Sequence, residues 1–328
     1  MPSKRANTQV APATVALVQM RMVPDPSRNL RHAVELATEA VRHGAQLICL
    51  PEMFRSQYFC QREDSALFDL AEPLDGPSTR AFRRLAVAKK VSVIVPIFER
   101  RAKGLYHNTA LTITPDGRIA GHYRKMHIPD DPLYYEKYYF TPGDRGFQAI
   151  DTPAGCVGTL ICWDQWYPEG ARLTALQGAD LIVYPTAIGW HPKEKAALGA
   201  EQHDGWRTIQ RAHAIANGVY VAAVNRVGLE RPNGKKGGDG LEFWGQSFLC
   251  DPFGVVLAEA PADRETILYG AIDPARIEAV RRYWPFLRDR RIDAYSGIAE
   301  RFHGDVPGLP LAPSRRRLPR RSRPRTPA

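Results

Sequence analysis

The sequence predicts an α/β fold in which one mixed sheet or a pair of sheets is flanked by helices. Three observations lead to this prediction. Short apolar runs of strand length alternate with segments whose apolar residues recur at helical spacing. Two pairs of strand-like runs are joined by the turn sequences Pro-Asp-Gly and Asp-Pro-Phe-Gly, which indicate hairpins. The composition does not change before about residue 304, so we expect one domain over 1–303.

The first half of the chain follows this alternation closely. A strand at 14–20 leads into a helix at 27–44, whose amphipathic pattern stops at Gly44. The other predicted elements of this half are strand 46–52, a helix near 77–90, strand 91–100 and a two-stranded hairpin over 108–125.

The second half repeats the pattern. A strand at 156–163 precedes a helix that begins at Pro168 and ends at about Gln177. Further elements are strand 180–185, helix 206–218, strand 219–225 and a second hairpin over 242–260.

Composition and charge favour a globular enzyme or binding protein. The chain has 328 residues, of which 44% are hydrophobic and 24% charged, so it has ample material for a core. Its net charge is +10, but seven arginines and no acid lie in 314–328, which leaves about +3 for the rest. A balanced body with a basic, proline-rich end predicts a disordered tail over 304–328. Nucleic acid is therefore not the expected partner.

The cysteines indicate a reducing compartment. They are odd in number, widely spaced and form no C-x-x-C pair, which argues against a disulfide framework or a zinc site; they are Cys49, Cys60, Cys156, Cys162 and Cys250. The N-terminal segment lacks the apolar stretch of a signal peptide, and no run approaches the ~20 apolar residues of a membrane span. We therefore expect a cytoplasmic protein with no membrane partner.

Three apolar runs end abruptly at a polar, reactive residue. "LICLPE" ends in Glu52, "IAGHYRK" in Lys125 and "TLIC" in Cys162. Each residue has an ordinary alternative, namely a salt-bridged acid, a solvated surface charge and a packed thiol. Strand ends and the loops after them are where α/β folds gather their active sites. Together the three residues supply a base, a cation and a nucleophile.

These residue types suit attack on a carbonyl carbon. A thiol with an ordinary pKa of ~8.5 needs a base or a nearby cation to act as a nucleophile at neutral pH. Glu52 can take the thiol proton from Cys162 and return it to a leaving nitrogen. Lys125 can stabilise the oxyanion, as can the backbone N–H of Trp163 if the chain turns sharply there. This chemistry needs no metal and no cofactor.

The same residues lie in motifs of a known family. "LPEMF", "HYRKMHIPD" and "ICWDQWYPE" resemble, in order and spacing, the three signature segments of the nitrilase (carbon–nitrogen hydrolase) superfamily, over about residues 12–295. The resemblance implies a four-layer α-β-β-α sandwich that pairs by its helices into dimers or larger homo-oligomers. It implies Glu52 as general base, Lys125 as oxyanion stabiliser and Cys162 as nucleophile. A fourth acid, Glu136 in "YYEKYYF", then supports the lysine and the substrate amide.

The residues beside the cysteine narrow the substrate class. Members that act on N-carbamoyl amino acids place arginine soon after the cysteine, where its planar fork holds a carboxylate. This chain has Asp164 and Gln165 there instead. With Asp130 and Asp131, that acid predicts a neutral or cationic substrate tail. "HIPDDPLYYEKYYFTPGD" and "YPTAIG" also resemble the branch that converts N-carbamoylputrescine into putrescine, carbon dioxide and ammonia through a thioester.

Within this interpretation, six residues are candidates for contact with the small-molecule substrate: Tyr58, Asp130, Asp164, Trp166, Thr186 and His191. One departure from the branch lies in 190–206, where His191 stands in place of an acid, although Glu194 and Glu201 follow closely. The exact substrate therefore stays open.

Several alternatives stay open as well. Within the same chemistry they are a β-ureidopropionase-like activity, a general aliphatic amidase and a nitrile-cleaving enzyme, since the same thiol attack serves each bond. From another class, the chain is an inactive scaffold that binds RNA through its basic tail. The intact set of Glu52, Lys125 and Cys162 favours an enzyme.

Overall fold

The computed structural model describes residues 11–232 and 238–302. The chain divides into two compact units, Met1–Arg288 and Asp289–Ala328. In the second unit, the described residues form a single 3-10 helix, Ser296–Ala299. The predicted tail over 304–328 lies outside the described residues, so the predicted domain end at residue 303 stays a prediction.

Strands and helices alternate along the first unit. Its described strands are β1 (Ala13–Gln19), β2 (Leu47–Cys49), β3 (Ser92–Ala102), β4 (Leu105–Ile113), β5 (Ile119–Arg124), β6 (Ala149–Thr152), β7 (Gly155–Thr159), β8 (Leu181–Thr186), β9 (Gly189–Trp190), β10 (Tyr220–Asn225), β11 (Val227–Glu230), β12 (Leu241–Trp244), β13 (Phe248–Cys250), β14 (Val256–Glu259) and β15 (Thr266–Ile272). Its described α-helices are α1 (Pro26–Arg42), α2 (Pro77–Lys89), α3 (Glu136–Tyr139), α4 (Pro168–Leu176), α5 (Lys195–Asn217) and α6 (Pro274–Tyr283). Short 3-10 helices lie at Phe59–Gln61, Ser65–Leu70 and Cys162–Trp166.

Two six-stranded sheets share one plan. The first has the order β15-β1-β2-β3-β4-β5 and the second the order β14-β13-β10-β8-β7-β6. In each, three central strands run parallel, one antiparallel strand adds to one edge and two add to the other. A small third sheet, β11-β12-β9, lies apart from them. The parallel strands explain the continuous apolar runs in the sequence, because both of their faces are covered.

The layers follow the predicted α-β-β-α order. One hydrophobic core contains side chains from the facing sides of both sheets, such as Leu17 of β1 and Leu249 of β13. Gly270 permits this approach, since a Cβ there would lie 2.2 Å from the Leu249 side chain. On the outer face of the first sheet, α1 and α2 bury apolar side chains, and α4 and α5 do so on the second. The structure therefore confirms the predicted fold class.

Local sequence explains how these helices begin and how closely they pack. Helix α1 begins after Asp25, whose carboxylate accepts a hydrogen bond from the N–H of Ser27. The buried alanines of its inner face, Ala33, Ala37 and Ala40, permit close packing on the sheet.

Within the described ranges, no helix combines the length and apolar character that a membrane crossing requires.

Helix α5 differs from the prediction, since it begins at Lys195 rather than at residue 206. Two glycines, Gly199 and Gly205, conceal its first half, because glycine weakens a helical pattern. Gly199 has a packing role: its carbonyl accepts a hydrogen bond of 3.0 Å from the indole N–H of Trp190, and a Cβ would lie 3.0 Å from that nitrogen.

The predicted hairpin over 242–260 also differs, because the chain forms three strands there instead of two. A break at Gly245 and Gln246, both with positive φ, separates β12 from β13. Strand β12 joins the small sheet, while β13 and β14 pair in the second large sheet. The hairpin over 108–125, in contrast, is confirmed as β4 and β5.

Candidate active site

The three predicted reactive residues lie just beyond strand ends. Glu52 follows β2, Lys125 follows β5 and Cys162 follows β7, so strands of both sheets deliver them. All three are buried, with 0%, 1% and 4% of their surfaces exposed, respectively. Electrostatic interactions join each of them to the other two, which places them in one cluster.

A lysine between two carboxylates forms the centre of the site. The Nζ atom of Lys125 lies 2.9 Å from Oε1 of Glu52 and 2.6 Å from Oε2 of Glu136. Burial alone would lower the pKa of Lys125, but the two carboxylates outweigh it and raise the pKa well above its usual range. The lysine is therefore an ammonium at neutral pH.

The two carboxylates are held by further hydrogen bonds. Asn108 donates its amide to Oε1 of Glu52 at 2.7 Å, and the Tyr58 hydroxyl donates to Oε1 of Glu136 at 2.7 Å. Burial raises the pKa of Glu136 to about 7, although Lys125 opposes the shift. Burial therefore makes the Glu136 carboxylate easier to protonate than an exposed one.

Glu52 keeps one oxygen free. While Oε1 accepts from both Asn108 and Lys125, no group in the described part of the chain donates a hydrogen bond to Oε2. A buried carboxylate oxygen without a donor is costly, and a proton relieves that cost. This asymmetry suits a base that must collect a proton.

Cys162 sits on a sharp backbone turn. Its φ is 43°, in the left-handed region that side-chain-bearing residues rarely adopt, and it opens the 3-10 helix Cys162–Trp166. The Sγ atom lies 3.9 Å from the carbonyl oxygen of Ala187. The backbone N–H of Trp163 belongs to the first turn of this helix, where such groups have no intrahelical acceptor. This position suits an oxyanion donor, and the role of Trp163 stays a prediction.

The thiol is neutral at rest. Burial raises the pKa of Cys162 well above its usual value, and the negative charge of Glu52 raises it further, while Lys125 acts in the opposite direction. A thiol in this state needs its proton removed before it can act as a nucleophile.

A cavity of about 490 Å³ opens onto Cys162. At its buried end it is lined by Glu136, Cys162 and Trp163, and at its open end by the exposed acids Asp131 and Glu194. Its walls are largely aromatic, from Tyr134, Trp166 and Trp244. Aromatic walls between buried and exposed charged groups suit a molecule with an apolar middle and polar ends.

Of the six predicted substrate contacts, the structure brings Trp166 and His191 to this cavity. The other four do not line it. Asp130 is exposed beside the cavity-lining Asp131, so the prediction was displaced by one residue.

Asp164, predicted to read the substrate tail, lies inside the fold. Its carboxylate accepts hydrogen bonds from the N–H groups of Ile161 and His127, from Nδ1 of His127 and from the hydroxyl of Tyr123. With both oxygens occupied, Asp164 secures the turn that carries Cys162. The prediction that Asp164 contacts the substrate is therefore wrong.

Tyr58 and Thr186 are also buried and occupied elsewhere. The Tyr58 hydroxyl donates to Glu136, and the Thr186 hydroxyl donates to the carbonyl of Tyr184 at 2.8 Å. Neither side chain lines the cavity, and each holds a neighbouring residue instead.

Sequence reasoning missed three residues that organise the site. Asn108 holds Glu52, and the buried pair Arg226 and Glu230 holds the backbone near it. The available signal was a polar residue within or just after an otherwise apolar strand, in "YHNTALTI" and "YVAAVNR". In the described ranges, no three His, Cys, Asp or Glu side chains are grouped to hold a metal.

Comparison with known proteins adds to this geometry. The carbon-nitrogen hydrolase family model matches residues 14–282. An N-carbamoylputrescine amidase of Solanum lycopersicum is 40% identical over 283 residues, which cover 86% of this chain and 93% of that protein. A citrullinase of Francisella tularensis is 38% identical over 291 residues, covering 88% and 98%. A crystal structure of a carbon-nitrogen hydrolase from Helicobacter pylori G27 superimposes with a TM-score of 0.85 at 44% identity, covering 89% of this chain and all of that one.

Proposed function

Because this chain belongs to the carbon–nitrogen hydrolase family of the nitrilase superfamily, and is thus an enzyme that hydrolyses non-peptide carbon–nitrogen bonds, we propose that its substrate is an N-carbamoyl amine. The first candidate is N-carbamoylputrescine. One observation carries this choice: the cavity joins Cys162 at its buried end to two carboxylates, Asp131 and Glu194, at its open end. A ureido group at one end and an ammonium at the other match that arrangement.

The reaction begins with proton transfer. Glu52 takes the proton of the Cys162 thiol through its free Oε2 as sulfur attacks the carbamoyl carbon. The negative charge that develops on oxygen meets the Lys125 ammonium and the Trp163 N–H. Such a donor is typically worth about 10²–10³ in rate.

The carbon–nitrogen bond then breaks. Glu52 returns its proton to the leaving amine, which departs as putrescine, and a carbamoyl thioester remains on Cys162. Water attacks this thioester with Glu52 again as base, and the released carbamate decomposes to carbon dioxide and ammonia. Glu136 holds Lys125 and faces the cavity beside the substrate amide.

A second candidate is a ureido amino acid such as citrulline. The observation in its favour is His191, which lines the cavity and whose Nδ1 accepts the N–H of Lys193 at 3.2 Å. In the neutral ring Nε2 then carries the proton, and an N–H donor suits a carboxylate. The similarity to a protein named citrullinase supports this candidate.

The remaining alternatives have less support. A β-ureidopropionase-like preference lacks the arginine that a carboxylate tail needs beside the nucleophile, since Asp164 and Gln165 stand there. The RNA-binding scaffold depends on 304–328, which lies outside the described residues. General amidase or nitrile cleavage would use the same cysteine without a role for Asp131 and Glu194.

Assembly and location extend the proposal. Helix α4 exposes Leu173 and Leu176, at 45% and 46%, which suits the pairing of helical faces in a homo-oligomer. All five cysteines lie in the described ranges and none forms a disulfide bond there, which suits a cytoplasmic protein.

The test is ammonia release from N-carbamoylputrescine, citrulline and 3-ureidopropionate. We expect kcat/KM to be highest for N-carbamoylputrescine, lower for citrulline and lowest for 3-ureidopropionate. Mass spectrometry of the stopped reaction should show a carbamoyl group on Cys162. The variant Cys162→Ala should be inactive, whereas Cys156→Ala, which alters a thiol outside the cavity, should be active. A preference for 3-ureidopropionate, or turnover by Cys162→Ala, would overturn the proposal.

A further inference from the structure

A buried arginine lies behind the general base, outside the cavity lining. Arg226 directly follows β10 and has no exposed surface. Its Nη1 atom lies 3.1 Å from Oε1 of Glu230, which is also buried. The guanidinium carbon lies 5.8 Å from the ring centre of Tyr58 and 5.2 Å from that of Phe243. A charge buried so deeply requires strong partners.

Those partners are backbone carbonyls of the segment that carries Glu52. Arg226 donates from Nη2 to the carbonyl oxygens of Glu52 at 2.6 Å and Met53 at 3.2 Å. It also donates from Nη1 to the carbonyl of Ser56 at 3.2 Å. Met53 has a φ of 46°, so the segment adopts a backbone conformation that needs external support.

Glu230 holds the far end of the same segment. Its Oε2 accepts the backbone N–H of Tyr58 at 2.6 Å. The Tyr58 hydroxyl in turn donates to Glu136, the second carboxylate on Lys125. The arginine and its acid therefore hold both ends of residues 52–58, and through them both carboxylates of the site.

We propose that Arg226 and Glu230 form a positioning pair that fixes Glu52 and Tyr58 in the geometry needed for proton transfer from Cys162. This inference rests on the proposed role of Glu52 as general base. Neither member of the pair touches the substrate. The planar fork of arginine is essential, because it reaches three carbonyls and a carboxylate at once, which a compact ammonium cannot do.

The preceding residue gives a contrast. Asn225 accepts the N–H of Ile188 at 3.1 Å and donates to its carbonyl at 3.0 Å, so it fixes a wall of the cavity. Two consecutive residues thus support two different parts of the site, a wall of the cavity and the segment that carries Glu52. Changes at Asn225 should act mainly on KM, whereas changes at Arg226 should act on kcat.

The experiment compares Arg226→Lys, Glu230→Gln and Asn225→Ala with the wild type. For Arg226→Lys and Glu230→Gln we expect kcat to fall about a hundredfold, the typical cost of a base displaced by 1 Å, with KM changed less than threefold. Their acid limb of kcat against pH should also shift, which a loss of folded protein alone would not cause. The matched control is Arg276→Lys, which alters an exposed arginine paired to Asp251 at 2.7 Å and should keep wild-type kcat.

A second measurement does not depend on the substrate. Alkylation of Cys162 by iodoacetamide at pH 7, mapped by peptide mass spectrometry, should slow in Glu52→Gln and also in Arg226→Lys. Suppose that Glu52→Gln slows alkylation, whereas Arg226→Lys and Glu230→Gln fold and do not slow it. The proposed positioning role is then wrong, and the proposed role of Glu52 as base is supported. If Glu52→Gln has no effect, the proposed base itself is wrong. Should Arg226→Lys fail to fold, Glu230→Gln decides by the same criteria.

Discussion

At the buried end of the cavity, Glu52, Lys125 and Glu136 are shielded from water and joined by short ion pairs, whereas at the open end Asp131 and Glu194 are exposed. Charges in the first region interact through a medium of low polarity, so displacing one has a large effect. Charges in the second are screened by water and salt. In the proposed reaction, the buried end determines the type of reaction, and the open end adjusts which molecule enters.

The largest expected effect tests the buried end. Glu52→Gln removes the proton acceptor but preserves the size of the side chain, so kcat should fall about 10²–10⁴-fold with little change in KM. Steady-state ammonia release and thermal unfolding of the same preparation would measure both. Glu194→Gln, at the open end, is the matched control. If Glu52→Gln kept a kcat within tenfold of the wild type, the contrast between the two ends of the cavity would be wrong.

The next effect concerns the strand that delivers Lys125. Burial would raise the pKa of Glu99, but hydrogen bonds from Arg124, His122 and Thr109 outweigh it and hold the pKa well below its usual range. The native state therefore favours the ionised form, so this contribution to stability is present above about pH 4.5 and is lost as pH falls below it.

Glu99→Gln should accordingly reduce the free energy of unfolding at pH 7, by about 3–5 kcal/mol for a broken buried pair. Urea unfolding at pH 7 and pH 3 would show the difference between variant and wild type narrowing at the lower pH. An exposed pair, Arg118 with Asp116, offers the control Asp116→Asn, which should change stability little. A difference that stays constant with pH would mean that ionisation of Glu99 is not involved.

The smallest effect is at the open end. Asp131→Asn and Glu194→Gln should each raise KM for N-carbamoylputrescine by up to about fivefold, because exposed ion pairs contribute about 0.2–1 kcal/mol. The increase should disappear in high salt and should be absent for butylurea, which has no distal amine. An equal change for both substrates would show that these acids do not read the ammonium.

The sequence allowed the reaction type to be predicted because its determinants are local. Glu52, Lys125 and Cys162 each end an apolar run, and a motif carries each one. The alternation of strands and helices along the chain likewise predicted that layers of sheet are flanked by layers of helix. The length of helix α5 was underestimated, because the helix tolerates Gly199 through a tertiary contact with Trp190 that the sequence does not reveal.

Contacts between distant segments were beyond sequence reasoning. Arg226 lies 174 residues from the carbonyl of Glu52 that it holds, and no spacing rule connects them. Asp164 follows Cys162 by two residues, but the turn at Cys162 directs it into the core, where hydrogen bonds from His127 and Tyr123 hold it. Whether a polar side chain faces a cavity or the interior depends on backbone direction, which composition does not reveal.

The left-handed backbone at Cys162 makes the proposed nucleophile a site where stability and activity conflict. Glycine adopts a φ of 43° without the steric penalty of a Cβ atom, so it would relax the turn and remove a buried thiol. A library selected only for resistance to heat should therefore accept glycine at this position, and the survivors would be robust proteins without a catalyst. Only selection for catalytic turnover keeps the strained cysteine at position 162.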